Sequence, residues 1–210
     1  MIKLKIMHMT VLKTIIHLVS LGLLVLTFYQ AINDQLGADP VEALLHFTGI
    51  GAFNLLLLSL LVSPLAKFSK QIVFIRIRRL LGLYAFFYGL SHFVSYIIFE
   101  LQLEWTLLLS EIIKRPYITV GFAALLILTA LTITSTQSIQ RKMGRTWQKL
   151  HNWVYVAGLL VALHFIWSVK SNLIEPLIYW LILTLLLATR TNKLKLFYRR
   201  RFSKNPPNKK

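Results

Sequence analysis

Long apolar runs alternate along the whole chain with short polar stretches that carry nearly all of its charge. A run of about 18 or more apolar residues is long enough to cross a bilayer as a helix. Six such segments are predicted, at 14–32, 44–65, 80–99, 117–134, 153–169 and 177–188, the last two short and extended by a turn into the interfaces. The expected fold class is all-α, a polytopic membrane protein with six transmembrane helices. One membrane domain covers 14–190, between an N-terminal segment (1–13) and a basic, partly disordered tail (191–210). The first run follows a basic start (Lys3, Lys5, Lys13), as a signal peptide would. It is long enough to span and no small-residue cleavage site follows it, so it is read as an uncleaved first helix.

Charge orients the bundle. The N-terminal segment, the stretch between spans two and three, the stretch between spans four and five, and the tail from Arg190 together hold twenty-one of the 24 Lys and Arg residues. Only Lys114, Arg115 and Lys170 fall on the opposite side, which also carries all seven acidic residues, Asp34, Asp39, Glu42, Glu100, Glu104, Glu111 and Glu175. By the positive-inside rule both termini are cytoplasmic. The net charge of +17 is thus explained by orientation rather than by nucleic-acid binding.

Composition agrees with a membrane domain: 56% of the 210 residues are hydrophobic, 15% are charged, and mean hydropathy is +0.64. There is no cysteine. Disulfides, thiolate-bound zinc, Cys-held iron–sulfur clusters and covalently attached c-type haem are therefore excluded.

The histidines carry the candidate chemistry. Imidazole is rare inside lipid, and it is a common axial ligand of haem iron. His92 lies thirteen residues beyond Arg79 and His164 fifteen beyond Lys149, roughly 20 Å and 22 Å from the cytoplasmic face at the rise of an α-helix. Two rings at one level on two helices suit the two faces of one haem; the rival reading is hydrogen bonding between helices. His151 sits at the cytoplasmic interface, about 19 Å of rise and roughly 140° of rotation from His164. It is a candidate haem ligand, flavin contact or interfacial residue. His17 lies on the same side and pairs with it in a two-haem scheme, whereas the corresponding level of span three holds Arg79. His46 opens span two from outside, and His8 belongs to the N-terminal segment.

Arg76, Arg78 and Arg79 stand at the cytoplasmic mouth of span three. Guanidinium groups there suit an FMN phosphate or a haem propionate, or serve only to hold orientation. No phosphate-binding glycine loop or hydrolase triad is present. A proton-coupled transporter would also use membrane histidines, but no acidic residue lies within any span. A structural anchor for an external enzyme is the remaining rival.

Six segments occur in order: His46-Phe47-Thr48-Gly49, Arg78-Arg79-Leu80-Leu81-Gly82-Leu83, Arg115-Pro116-Tyr117, Thr134-Ser135-Thr136-Gln137, Leu150-His151-Asn152-Trp153-Val154-Tyr155 and His164-Phe165-Ile166-Trp167-Ser168. With these the chain resembles the ferric-reductase-like transmembrane family, and within it the haem-binding membrane subunits of bacterial periplasmic methionine sulfoxide reductase systems. The resemblance implies an inner-membrane subunit that passes electrons through b-type haem, one or two per chain, with FMN beside it. It implies electrons from the quinone pool or a cytoplasmic flavin reductase, and a periplasmic molybdopterin-containing partner that reduces methionine sulfoxide in proteins. It places the haem-associated, metal-ligating histidines at His92, His151 and His164. A ferric or cupric reductase using the same haem is the alternative within this chemistry.

Overall fold

The computed structural model describes the backbone of residues 6–71, 74–169 and 172–202, with side chains described between Met9 and Thr189. His8 and the basic tail therefore lie outside the described side chains, as residues 203–210 lie outside the described residues altogether. Every regular element described is helical: α1 (Ile6–Ile32), α2 (Pro40–Phe68), α3 (Ile75–Ser95), α4 (Trp105–Lys114), α5 (Pro116–Ile133), α6 (Gln137–Met143), α7 (Arg145–His151), α8 (Val154–Ser168) and α9 (Ile174–Phe202). Helix α3 runs on through a wider π-helical turn, Tyr96–Glu100.

Five helical stretches among the described residues are long and apolar enough to span: Met9–Ile32, Pro40–Phe68, Ile75–Glu100, Pro116–Ile133 and Arg145–Ser168. The sixth predicted segment falls in Ile174–Thr189, a shorter apolar stretch at the start of α9. Two of the polar stretches between apolar runs contain helices, α4 between α3 and α5, and α6 with α7 between α5 and α8. Helix α9 also continues past the expected end of the membrane domain, to Phe202.

Local chemistry marks the helix starts. Asp39 caps α2 by accepting the Glu42 N–H at 2.8 Å, and Pro40 fills the first turn, where its missing N–H costs nothing. Pro116 opens α5 in the same manner. Thr136 caps α6 through the Ile139 N–H.

Two helix pairs dominate the packing, α2 on α3 and α5 on α8. They close on one core in which Phe53, Leu56 and Leu60 of α2 meet Leu128 of α5, Phe165 of α8 and Leu183 of α9. Helix α1 joins through Met9, Val62, Ile77 and Leu81, and through the buried Tyr88 hydroxyl, which donates to the Ser20 carbonyl at 2.6 Å. Gly51 makes room for Tyr88, because a side chain there would overlap the phenol ring. The outer surface of the bundle is apolar: Leu18, Val25, Leu126 and Leu181 are all more than half exposed, as residues facing acyl chains would be.

Candidate functional site: a facing histidine pair

His92 is on the last turn of α3 and His164 stands one turn before the end of α8. Their ring centres are 6.1 Å apart, with planes at 81°. Each ring is fixed from behind by a helix carbonyl. His92 Nδ1 donates to Leu45 O at 2.9 Å and His164 Nδ1 donates to Tyr117 O at 2.8 Å. A carbonyl only accepts, so Nδ1 carries the proton in both rings and Nε2 of the neutral form keeps its lone pair. Thr48 Oγ1 lies 3.4 Å from His92 Nδ1 as a second, longer contact.

The separation of the ring centres matches that of two imidazoles sharing one metal ion. A first-row metal held at about 2 Å by Nε2 of two imidazoles needs ring centres roughly 6 Å apart. Backbone carbonyls on the far nitrogens orient the ligands and raise their basicity. Among the described residues there is no cluster of three or more His, Cys, Asp or Glu suited to a metal. Two axial nitrogens are a complete protein contribution only where a macrocycle supplies the equatorial donors, as haem does.

A polar chain continues from the residue that supports His164. Arg115 donates from Nη1 to the Tyr117 hydroxyl at 3.1 Å and pairs through Nε with Glu111, which also accepts from Tyr96. The Tyr117 hydroxyl, ahead of the Glu111 carboxylate, pushes the Arg115 pKa above its ordinary value. This network ties the turn carrying the Tyr117 carbonyl to α4 and to the π turn that follows His92.

The other candidates lie apart from the pair. His151, at the end of α7, stacks on Trp147 with ring centres 4.0 Å apart. Its Nε2 is 3.2 Å from Thr134 Oγ1. That hydroxyl donates to Ala130 O at 2.7 Å, so its oxygen accepts from His151 Nε2–H, and Nδ1 is the nitrogen left with a lone pair. Trp147 Nε1 in turn donates to Thr134 O at 2.9 Å. Arg78 lies within electrostatic range of His151, and Arg76 and Arg79 are exposed on the first turns of α3. His17 bonds Tyr84 OH through Nδ1 at 2.7 Å, not another histidine. His46 is exposed and 3.9 Å from Glu175.

The supporting carbonyls of Leu45 and Tyr117 carry no side-chain signature, so the sequence does not mark them as partners of the histidines. One signal was available. Each histidine follows its supporting carbonyl by forty-seven residues, and the whole device recurs seventy-two residues later, Leu45 matching Tyr117 and His92 matching His164. The same offset places Arg79 opposite His151.

A family model described as "Ferric reductase like transmembrane component" matches residues 48–163. The chain is 47% identical over 187 residues to the protein-methionine-sulfoxide reductase heme-binding subunit MsrQ of Xanthomonas axonopodis pv. citri, covering 86% of each chain. It is 47% identical over 204 residues to that of Xanthomonas euvesicatoria pv. vesicatoria, covering 93% of each. With that of an Enterobacter species it shares 46% over 193 residues, 91% of this chain and 97% of the relative. No solved structure matches.

Proposed function

We propose, for a chain that belongs to the ferric-reductase-like transmembrane family and to the MsrQ haem-binding subunits within it, that His92 and His164 are the two axial ligands of one b-type haem. The observation that carries this reading is the pair of rings with centres 6.1 Å apart, each with Nδ1 committed to a backbone carbonyl and Nε2 left free of that bond. Haem held by these two residues would supply a one-electron couple, with the same protein ligands in both oxidation states. The protein holds both ligands in place before and after the electron moves, and its apolar bundle excludes water from the site.

The function that follows is electron transfer across the membrane in support of methionine sulfoxide reduction. The chain crosses six times in this reading, with both termini in the cytoplasm and the protein in the bacterial inner membrane. The basic residues between α2 and α3, and those of α6 and α7 between α5 and α8, support that orientation. Electrons enter from the quinone pool or a cytoplasmic flavin reductase and leave to a periplasmic molybdopterin partner, MsrP. His151 serves the cytoplasmic side, beside FMN or as a ligand of a second haem. Arg76, Arg78 and Arg79 offer guanidinium groups to an FMN phosphate or a haem propionate. The stacked Trp147–His151 pair and the nearby Arg78 support a flat, anionic ligand at this level.

The test is a reduced-minus-oxidised spectrum of purified protein, with haem quantified per chain. His92→Ala and His164→Ala should each abolish the low-spin b-type signal. Full haem content and an unchanged reduced spectrum in either variant would refute the assignment.

A further inference from the structure

The supporting carbonyls raise a steric problem. In an α-helix the carbonyl of residue i already accepts from the N–H of residue i+4. The Cα–Cβ bond of residue i+4 tilts back toward the N-terminus, over that carbonyl. A ring that approaches carbonyl i from the side therefore meets the side chain at i+4. In α2 the carbonyl belongs to Leu45 and position i+4 is Gly49; in α5 the carbonyl belongs to Tyr117 and position i+4 is Gly121.

The space is already taken by the imidazoles. A Cβ on Gly49 would stand 3.2 Å from His92 Nδ1, and one on Gly121 would stand 2.7 Å from His164 Nδ1 and 3.0 Å from its Cε1. Gly49 and Gly121 are separated by the same seventy-two residues that separate Leu45 from Tyr117 and His92 from His164. Neither glycine has a positive φ, so backbone freedom does not account for them.

We propose that Gly49 and Gly121 are the positioning residues of the axial pair: each leaves open the flank of the carbonyl that fixes its histidine's Nδ1 and so sets the ring's angle. The device is duplicated but unequal. The His164 side has no slack, whereas the His92 side tolerates a methyl group if the ring gives by a few tenths of an ångström. The inference rests on the bis-histidine haem reading and adds to it which backbone positions decide ligand orientation.

Full-length protein is purified as wild type, Gly121→Ala, Gly49→Ala and Gly22→Ala, the last adding a methyl where nothing lies within 4 Å. Haem per chain and the low-spin ferric EPR signal are measured. The anisotropy of that signal follows the angle between the imidazole planes, which a merely structural role would not move. Gly121→Ala should lose haem by at least about tenfold or convert it from low to high spin, the scale of losing an outer-shell partner. Gly49→Ala should keep haem within about threefold of wild type, with a shifted EPR signal on the same outer-shell ground. Gly22→Ala should match wild type. Wild-type haem content and an identical EPR signal in Gly121→Ala would overturn the proposal. Should that variant fail to accumulate, Gly49→Ala decides, an unshifted signal overturning the proposal and a shifted one supporting it. A wild-type protein with no b-type spectrum would instead remove the haem reading itself.

Discussion

Thr48→Val isolates the smallest difference between the two halves of the histidine site. Thr48 Oγ1 is 2.7 Å from Leu44 O and 3.2 Å from Leu45 O, so its single proton goes to a helix carbonyl. Its oxygen then faces His92 Nδ1–H at 3.4 Å, behind the main acceptor Leu45 O at 2.9 Å. The equivalent position beside His164 is Val120, which has no such oxygen. Valine matches threonine in shape, so the substitution removes an acceptor without opening a cavity. A contact at 3.4 Å lies beyond the usual N–H···O range and is worth at most about 0.5 kcal/mol. Losing it makes the imidazole a slightly poorer donor, which favours the reduced metal and raises the midpoint potential. With about 59 mV per factor of ten for one electron, the rise is at most about 20 mV. Potentiometric titration of the Soret band measures it, and Val120→Thr should shift the potential the other way by a similar amount. A fall in potential for Thr48→Val, or a change beyond about 60 mV, would refute the assignment of the Nδ1 proton and its acceptors.

Three further outcomes follow from the same geometry. Thr134→Val takes away the acceptor of His151 Nε2–H, which should cost about 1–3 kcal/mol in a thermal melt and alter Trp147 fluorescence, while the spectrum of the His92–His164 site stays unchanged. Ser95 Oγ is buried and lacks a hydrogen-bond partner among the described residues, so Ser95→Ala should leave stability unchanged or raise it by up to about 1 kcal/mol; a loss above that would mean the hydroxyl has a partner when the protein is loaded. His46→Ala, at an exposed ring 3.9 Å from Glu175, should leave haem content and spectrum as in wild type, and a lost signal would bring His46 into the ligand set.

Sequence counting bears on one coordinate of the site and is silent on the other. Depth accumulates at about 1.5 Å per residue, so an error of two residues in a span boundary moves a side chain by only about 3 Å. That margin was enough to put His92 and His164 on one level and His151 on another, and the structure likewise holds the first two rings together and His151 with Thr134 and Trp147. Facing direction accumulates at about 100° per residue, and the same error turns a side chain to the far side of its helix. A soluble helix corrects this through its polar stripe, but here the outward faces are as apolar as the core, with Leu126 and Leu181 exposed and Leu128 and Leu183 buried on the same helices. Hydrophobic pattern therefore carries no mark of which way His164 points. Glycine carries one only by comparison. Gly49 is unremarkable in an apolar run until Gly121 appears at the offset that also relates the histidines, and the repeat, not the residue, is the readable signal. Helix α4 and the pair α6–α7 stayed hidden for the opposite reason, since short helices between spans carry charged residues that read equally well as loop. What a single pass along such a chain recovers is thus the order of levels across the membrane; the orientation of each ring is written in the contact between helices, where a missing Cβ decides it.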